Sequence, residues 1–479
     1  MHMLNYGSRW TQFSSQTLAV AVSWLSLKHR DNNELFVLQQ SAEQQQTLSL
    51  LLFTEQIGKT FIVLLGVYQQ FAPKMDLIRD VVYRVIVFSI RVYKYLEWLL
   101  IEYAEDFVEQ HLNKIFKKAG IVLDGPKRYD PKINDKKEFY TRVVSNALLG
   151  LGEGYMEKIW DVEDLEEFAY QGLKHDLAKE YLGPVNKITN YMLLQAINLQ
   201  TQKKSFEVGE QHYNLGNELF ECMLDPTMQY SCGYWKDATN LEQAQLAKLN
   251  LIGEKLKLKP GMTVLDIGCG WGGLAKYLAE NFGVSVVGCT ISIEQAKLAR
   301  ERCEGLNVEI VVQDYRDIQE KFDRIVSVGM FEHVGPQNYP TFFEMTNRCL
   351  KDDGILLLHT IGVSHNNVPL TEPWFHKYIF RNAVLPYHTD IPKATDGLFI
   401  LEDWHNMGHD YSLTLREWKK NFENNWEQLS MGKKVDEKFY RMWIYYLTIS
   451  AACFRARKYQ LWQIVMSKNG IEGGYQSVR

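Results

Sequence analysis

The segment VLDIGCGWGG, Val264 to Gly273, constrains the fold more than any other stretch of this 479-residue chain. A short apolar run over 263–267 reads as a strand. It delivers the backbone to a glycine-rich turn, and a helix is predicted directly after it, over 271–281. The pattern then repeats, with strands predicted at 284–289, 308–312, 324–328 and 354–361 and helices at 292–303 and 336–350. Such βαβ alternation implies a mainly parallel sheet covered by helices on both faces. Two late apolar runs, 398–404 and 460–466, predict two further strands. The expected class is therefore α/β with a mixed, mainly parallel seven-stranded sheet.

The rest of the chain reads differently. Residues 104–205 are mostly helical in pattern, punctuated at Gly120, Gly125-Pro126, Pro131 and Gly183-Pro184. A further helix over 207–224 runs into Asp225-Pro226, which ends it because the residue before proline disfavours the helical region. Residues 1–103 carry no cysteine and balance 9 basic against 8 acidic side chains. Within them Asp80, Arg84, Arg91, Lys94 and Glu102 recur at helical spacing among apolar residues. The expected division is 1–103 as a helical extension of unassigned role, 104–205 as a helical N-terminal domain, and 206–479 as a catalytic domain with an insertion at about 362–397.

Composition narrows the function. A net charge of −5 and a pI of about 6.2 exclude a whole-chain nucleic-acid binder. The seven cysteines fit no zinc spacing and no paired disulfide framework, so no metal is expected and a reducing compartment is. No charge-free run reaches the ~20 residues of a membrane span, and Lys28-His29-Arg30-Asp31 offers no small-residue cleavage site after the apolar stretch 18–27. The expectation is a cytoplasmic protein, peripheral to the inner face of a membrane.

The turn itself suggests its ligand. Asp266 stands at the strand end, where a carboxylate can receive an ammonium group, and Gly268, Cys269 and Gly270 let the backbone approach closely. Gly268-Cys269-Gly270-Trp271-Gly272 departs from the dinucleotide pattern and favours the S-adenosylmethionine (SAM) version of the fold, the Rossmann-like SAM-dependent methyltransferase. The second strand ends in Thr290-Ile291-Ser292, with Gln295 one turn on, which offers neutral groups to a ribose. The third ends in Asp314-Tyr315, a carboxylate and a ring for the adenine, although Asp314 fits a helix N-cap equally well.

From about Glu105 onward the chain resembles the cyclopropane-fatty-acyl-phospholipid synthase and mycolic acid cyclopropane synthase family. The resemblance rests on LGLGEGYMEKIWD, HYNLGNELF, DPTMQYSCGYW, VLDIGCGWGGLA, VVGCTIS, QDYRD, SVGMFEHVG, LLLHTIG, PWFHKYIF, EDWHNMGHDY and FRAR, in order over most of the chain. It implies transfer of the SAM methyl group to the cis double bond of an unsaturated phospholipid acyl chain, then loss of a proton to a bound bicarbonate and ring closure. It also implies that Tyr230 and Ser231 touch SAM, and that Cys232, Glu332, His359 and Tyr411 hold the bicarbonate, with the Ile361 backbone as a further donor. Other roles stay open: an inert buried thiol for Cys232, a core histidine for His359, a helix cap for Glu332. The family cysteine ahead of FRAR is Ser450 here, with Cys453 nearby, which argues against a covalent thiol mechanism.

Two further functions are compatible with these motifs: a SAM-dependent C-methyltransferase acting on another lipid or alkene, and a non-catalytic lipid-binding scaffold. A lipid substrate would also require docking on a bilayer. The region from Ser412 to Arg479 holds 12 basic against 6 acidic side chains. Arg455, Arg457 and Lys458 with Trp443, Tyr445, Tyr446 and Trp462, and Lys377 and Arg381 beside Tyr378 and Phe380, are expected to face the headgroups. The alternative is that these cations pair locally and the rings fill the core. A homodimer is left open.

Overall fold

A computed structural model describes residues 105–177, 200, 216–364, 372–431 and 435–479. The amphipathic stretch at 76–102, residues 207–215 of the expected 207–224 helix and residues 365–371 of the insertion lie outside the described residues. The described residues begin with α1 (Glu105–Lys118), β1 (Lys132–Ile133), α2 (Lys136–Met156), β2 (Trp160–Asp161) and α3 (Leu165–Lys174), in which β1 and β2 form a small antiparallel pair. Next come α4 (Asn217–Met223) and α5 (Leu241–Lys255), the latter started by Asn240, whose side chain accepts from the Gln243 N–H. Caps of this kind contribute about 1 kcal/mol.

The central sheet follows: β3 (Thr263–Ile267), α6 (Gly273–Phe282), β4 (Ser285–Thr290), α7 (Ile293–Arg302), β5 (Val308–Val312), β6 (Phe322–Val328), α8 (Tyr339–Cys349) and β7 (Leu350–Gly362). Beyond it lie α9 (Pro373–Tyr378), α10 (Asp390–Thr395), β8 (Ile400–Asn406), α11 (Gly408–Asn424), α12 (Trp426–Ser430), α13 (Glu437–Arg455) and β9 (Gln460–Ser467). The strand order is β5-β4-β3-β6-β7-β9-β8, parallel except that β9 runs against both neighbours. This is the expected mainly parallel seven-stranded α/β sheet. The helix after the turn starts at Gly273 rather than Trp271, because Gly268, Gly270 and Gly272 all hold positive φ and keep the turn out of the helix.

The strands' two-residue period divides the core. Leu356 and Leu358 of β7, with Ile464 and Met466 of β9, join one apolar cluster; Ile355, Leu357 and Val465 join the other, under Leu249 and Ile252 of α5 and Leu256 just beyond it. A third cluster merges α1–α3 with α11 and α13, so the helical segment shares its core with the sheet-bearing part. In it Trp160 is fully buried, 5.4 Å from Tyr155 and 5.0 Å from Phe168 between ring centroids, and donates its indole N–H to Leu151 O at 2.8 Å. Trp374 of α9 packs so closely on Gly152 that a Cβ there would fall 2.4 Å from the indole, which is why α2 needs glycine at that position.

The expected lipid-facing surface is corrected here. Trp443, Tyr445, Tyr446 and Trp462 are buried. The cations find acids on α2, α3 and their flanks: Lys377 meets Glu153 at 2.5 Å, Arg455 meets Glu167 at 2.8 Å, Lys458 meets Asp176 at 2.5 Å and Arg441 meets Asp161 at 3.2 Å. The basic excess at the C-terminus is thus complementary to the acidic 153–176 segment. Among the described residues no helix is long and apolar enough to cross a membrane.

Candidate active site

The glycine-rich turn is pinned to the end of β4, since the Gly268 and Cys269 N–H groups both donate to Cys289 O, at 2.9 and 3.1 Å. Asp266 is buried beneath it on β3, and its Oδ2 has no hydrogen-bond partner. Burial pushes the carboxyl up to about 7, with the Lys248 ammonium opposing the shift. Gly270 has φ +54°, and a Cβ added there would meet nothing within 4 Å. Cys269 does not face the crevice by its side chain, which packs with Ala296, Ala299 and Ile310. At the end of β4, Thr290, Ser292 and Gln295 form the start of α7: Ser292 caps the helix by accepting from the Gln295 N–H, and the Thr290 hydroxyl donates to Gln295 Oε1 at 3.3 Å. Ile291 is half-buried beside them. Asp314 does cap, accepting from the Arg316 N–H at 3.0 Å, and Tyr315 is buried against Phe342 with its hydroxyl unpartnered.

The second group forms where β6 and β7 end. β6 passes through Gly329, whose N–H donates to His359 O at 2.9 Å, into a 3₁₀ turn over Phe331–His333. That turn places Glu332 so that its Oε1 accepts from the Ile361 N–H at 2.6 Å, while its Oε2 is buried without a partner. The Ile361 N–H, expected as a free donor, is therefore taken by Glu332. Burial pushes the Glu332 carboxyl up to about 7 against the pull of that hydrogen bond. His359 is 1% exposed; its Nδ1 lies 3.2 Å from the Gln463 amide nitrogen and its Nε2 has no partner. Burial, reinforced by Lys248, Lys255 and His405, holds the imidazole well below its ordinary pKa, so the ring is neutral.

Tyr411 on α11 and Cys232 complete the set. Burial pushes the Tyr411 hydroxyl well up, and Tyr446, Cys232 and Glu332 are close enough to add to the shift, so it remains a donor. Cys232 is fully buried, its thiol donating to Gly233 O at 3.1 Å and lying 3.9 Å from the Thr414 hydroxyl; burial and Asp410 push that thiol well up, so it stays neutral and is no nucleophile. Around them stand aromatic rings. Tyr230 shares a 2.8 Å hydroxyl contact with Tyr446 and packs 5.2 Å from Trp418, and Phe380 lies 5.6 Å from Tyr446 and 6.3 Å from His333. Ser450 and Cys453 are buried in α13, the thiol of Cys453 pushed up to about 12 by burial, which suits a structural role.

Two residues escaped the sequence reading. Lys248 and Lys255, seven apart on α5, are both fully buried. Lys248 Nζ donates to Gln229 Oε1 at 2.5 Å and to Ser231 Oγ at 3.1 Å, fixing the loop that carries Tyr230, Ser231 and Cys232. Its charge reaches both Asp266 and His359, which links the turn to the Glu332 group. The available signal was position: 241, 245, 248, 252 and 255 recur as one helical stripe, and two of its five members are lysine.

Residues 200–464 match the family model for mycolic acid cyclopropane synthetase. The chain is 49% identical over 367 residues to the cyclopropane-fatty-acyl-phospholipid synthase of Escherichia coli (strain K12), covering 77% of this chain and 95% of that relative. Among solved structures, the cyclopropane synthase MmaA2 from Mycobacterium tuberculosis is 31% identical with a TM-score of 0.52, covering 55% of this chain and 98% of that one. Mycolic acid cyclopropane synthase CmaA1, complexed with SAH and CTAB, is 32% identical with a TM-score of 0.51 over the same shares.

Proposed function

Since the chain belongs to the mycolic acid cyclopropane synthetase family, we propose that it is a SAM-dependent cyclopropane-fatty-acyl-phospholipid synthase, converting the cis double bond of an unsaturated acyl chain into a cyclopropane ring. The observation that carries this reading is the pairing of two buried groups through Lys248. Asp266 stands under the glycine turn with an unpartnered oxygen, and Glu332 and His359 each offer an unpartnered atom beside aromatic rings.

Those atoms fit the two groups the reaction needs. When bound, SAM supplies an electrophilic methyl group and bicarbonate supplies a base. Asp266, with Gly268 and Gly270 above it, suits an ammonium-bearing donor. Thr290, Ser292, Gln295, Asp314 and the Tyr230–Ser231 loop would hold the rest of it. A trigonal anion suits Glu332 Oε2, His359 Nε2 and the Tyr411 hydroxyl, with the Cys232 thiol, which donates to Gly233 O, a weaker donor once turned toward the anion. With an ordinary pKa near 4.5 raised to about 7, Glu332 is able to share a proton with a neighbouring oxygen instead of repelling it.

The protein's part is to exclude water and orient. An alkene is a weak nucleophile, so the apolar surroundings must hold it against the donor in attack geometry. As its electron pair bonds the methyl carbon, the donor's sulfur–methyl bond would break with its pair left on a neutral thioether, a cation would develop on the acyl chain, and the faces of Tyr230, Phe380 and Tyr446 can stabilise it. A proton would then pass from the methyl group to the anion held by Glu332, His359 and Tyr411, and the released carbon–hydrogen pair would close the ring onto the cationic carbon. No side chain need act as nucleophile, in keeping with raised thiol pKa values at Cys232 and Cys453.

An acyl chain of a bilayer must be reached from its surface, so peripheral membrane association belongs to this proposal. Incubation with methyl-labelled SAM and vesicles of unsaturated phospholipid is the test: label in a cyclopropane ring of the acyl chains supports the reading, and label in a methyl branch or a small molecule contradicts it.

The Asp266 carboxyl adds a pH prediction. Only its ionised form attracts an ammonium, and without ligand its pKa is about 7. Affinity for SAM should therefore strengthen by about tenfold from pH 6 to pH 8 as the group ionises. Titration calorimetry across that range checks this; Asp266→Asn should bind more weakly and lose the slope. A flat wild-type profile would remove Asp266 from the donor site.

A further inference from the structure

Three polar residues lie side by side across the β7, β9 and β8 strands: His359 is in register with Gln463, and Gln463 with His405. Their neighbours on that face are the apolar Ile355, Leu357 and Val465 and, on β8, Asp403, which is paired with Arg479 and whose charge acts on Lys255; α5 lies over them. From α5, Lys255 enters the same layer. Its Nζ is 2.8 Å from Gln463 Oε1 and 2.9 Å from His405 Nδ1, and Gln463 Nε2 is 3.2 Å from His359 Nδ1. His359 is 1% exposed, and Gln463 and Lys255 are wholly buried. Burying a lysine and an amide in an apolar layer is costly, so such a chain is a poor device for stability alone.

We infer that Lys255 and Gln463 are positioning residues that hold His359 as its Nε2–H tautomer, so that its unpartnered nitrogen presents a hydrogen-bond donor to the reaction site. The argument is one of donors and acceptors. Burial lowers Lys255 to about 7, so below that pH it is an ammonium with only hydrogens to give, and the atom of Gln463 facing it must then be the amide oxygen. The amide nitrogen then faces His359 Nδ1, and its N–H must meet a lone pair. Nδ1 therefore carries no hydrogen, and in a neutral imidazole the proton is on Nε2. The opposite tautomer would set two N–H groups against each other at 3.2 Å. His405 accepts from Lys255 at the far end and leaves the chain no conflict.

This orientation suits the chemistry. A neutral N–H donor can fix a trigonal anion without the full positive charge of an imidazolium, which would lower the anion's proton affinity and weaken it as a base. The inference rests on the proposed role of His359 toward such an anion, but the tautomer itself is independent of any reaction.

The test uses protein labelled with ¹⁵N-histidine, the His359 signals being those absent from His359→Asn. Long-range ¹H–¹⁵N correlation at pH 6, where Lys255 is charged and His359 is still neutral, should show the wild-type ring protonated at Nε2. In Gln463→Glu the carboxylate can only accept from both neighbours. The His359 proton should move to Nδ1, with turnover falling about 10- to 100-fold and SAM affinity staying within about twofold. In Gln463→Met the ring loses its partner, and both ring positions should exchange while SAM affinity is kept. A wild-type ring protonated at Nδ1 overturns the inference. So does a reversed tautomer with full turnover, or loss of SAM affinity in both variants, which would mark a purely structural layer. Failure of the wild type to form a ring would contradict the proposed function and leave the tautomer result standing.

Discussion

Glu332→Gln is expected to bind SAM as tightly as the wild type and to lose turnover by about 10²- to 10⁴-fold, the range found when a proton-transfer group is removed. The amide keeps the shape of the side chain and its Oε1 can still accept from Ile361 N–H, so the 3₁₀ turn over Phe331–His333 should stand. What is lost is an ionisable oxygen. Glu332 Oε2 is buried and unpartnered, and the raised pKa of about 7 means the group can either give or take a proton near neutrality. An amide nitrogen in its place can only donate and cannot titrate. Single-turnover measurement beside calorimetric SAM binding separates the effects. Parallel loss of SAM affinity and turnover would place Glu332 in the donor site instead.

Gly270→Val should lower SAM affinity by at least about 100-fold, equivalent to about 2.7 kcal/mol. The neighbouring glycines make this the informative position. A Cβ at Gly268 would strike Met330 at 2.8 Å and one at Gly273 would strike Thr227 O at 2.1 Å, so substitution there disturbs the apoprotein. At Gly270 the added atom meets no protein, and the cost to folding is confined to the left-handed backbone at φ +54°, about 1–2 kcal/mol. The branched side chain would instead fill the space over the turn. Thermal denaturation should show a folded variant, and calorimetry should show no SAM binding; retained affinity would mean the cofactor lies elsewhere.

The sheet was legible because its signals are local. Strand, glycines and helix follow one another from Thr263 to Phe282, and the apolar runs of β4, β5, β6 and β7 stand out against polar helices. Glu332 and His359 were found from short motifs, and both come to the ends of neighbouring strands. The layer behind His359 could not be read this way. Gln463 meets His359 only because β9, 104 positions further on, inserts between β7 and β8, and no local pattern announces that pairing. Lys255 reads as a surface residue until α5 is seen to lay it on the sheet.

The C-terminal cations misled for a related reason. Charge counted along a sequence says nothing of its partners. The acids that neutralise Arg416, Arg455 and Lys458 are Glu166, Glu167 and Asp176, far upstream. Likewise Trp443 and Tyr445 suited an interface by composition and serve as core against Phe439, Tyr155 and Trp374.

The most direct test of ring formation follows the hydrogens. The enzyme, vesicles of monounsaturated phospholipid and SAM carrying a fully deuterated methyl group would be incubated together, and the released fatty acids analysed by mass spectrometry and proton NMR. Ring closure removes one methyl hydron, so the account predicts a cyclopropane methylene that retains two deuterium atoms and no vinylic signal in the product. A methyl branch retaining all three deuterium atoms would contradict it, and would assign the site to C-methylation without ring closure.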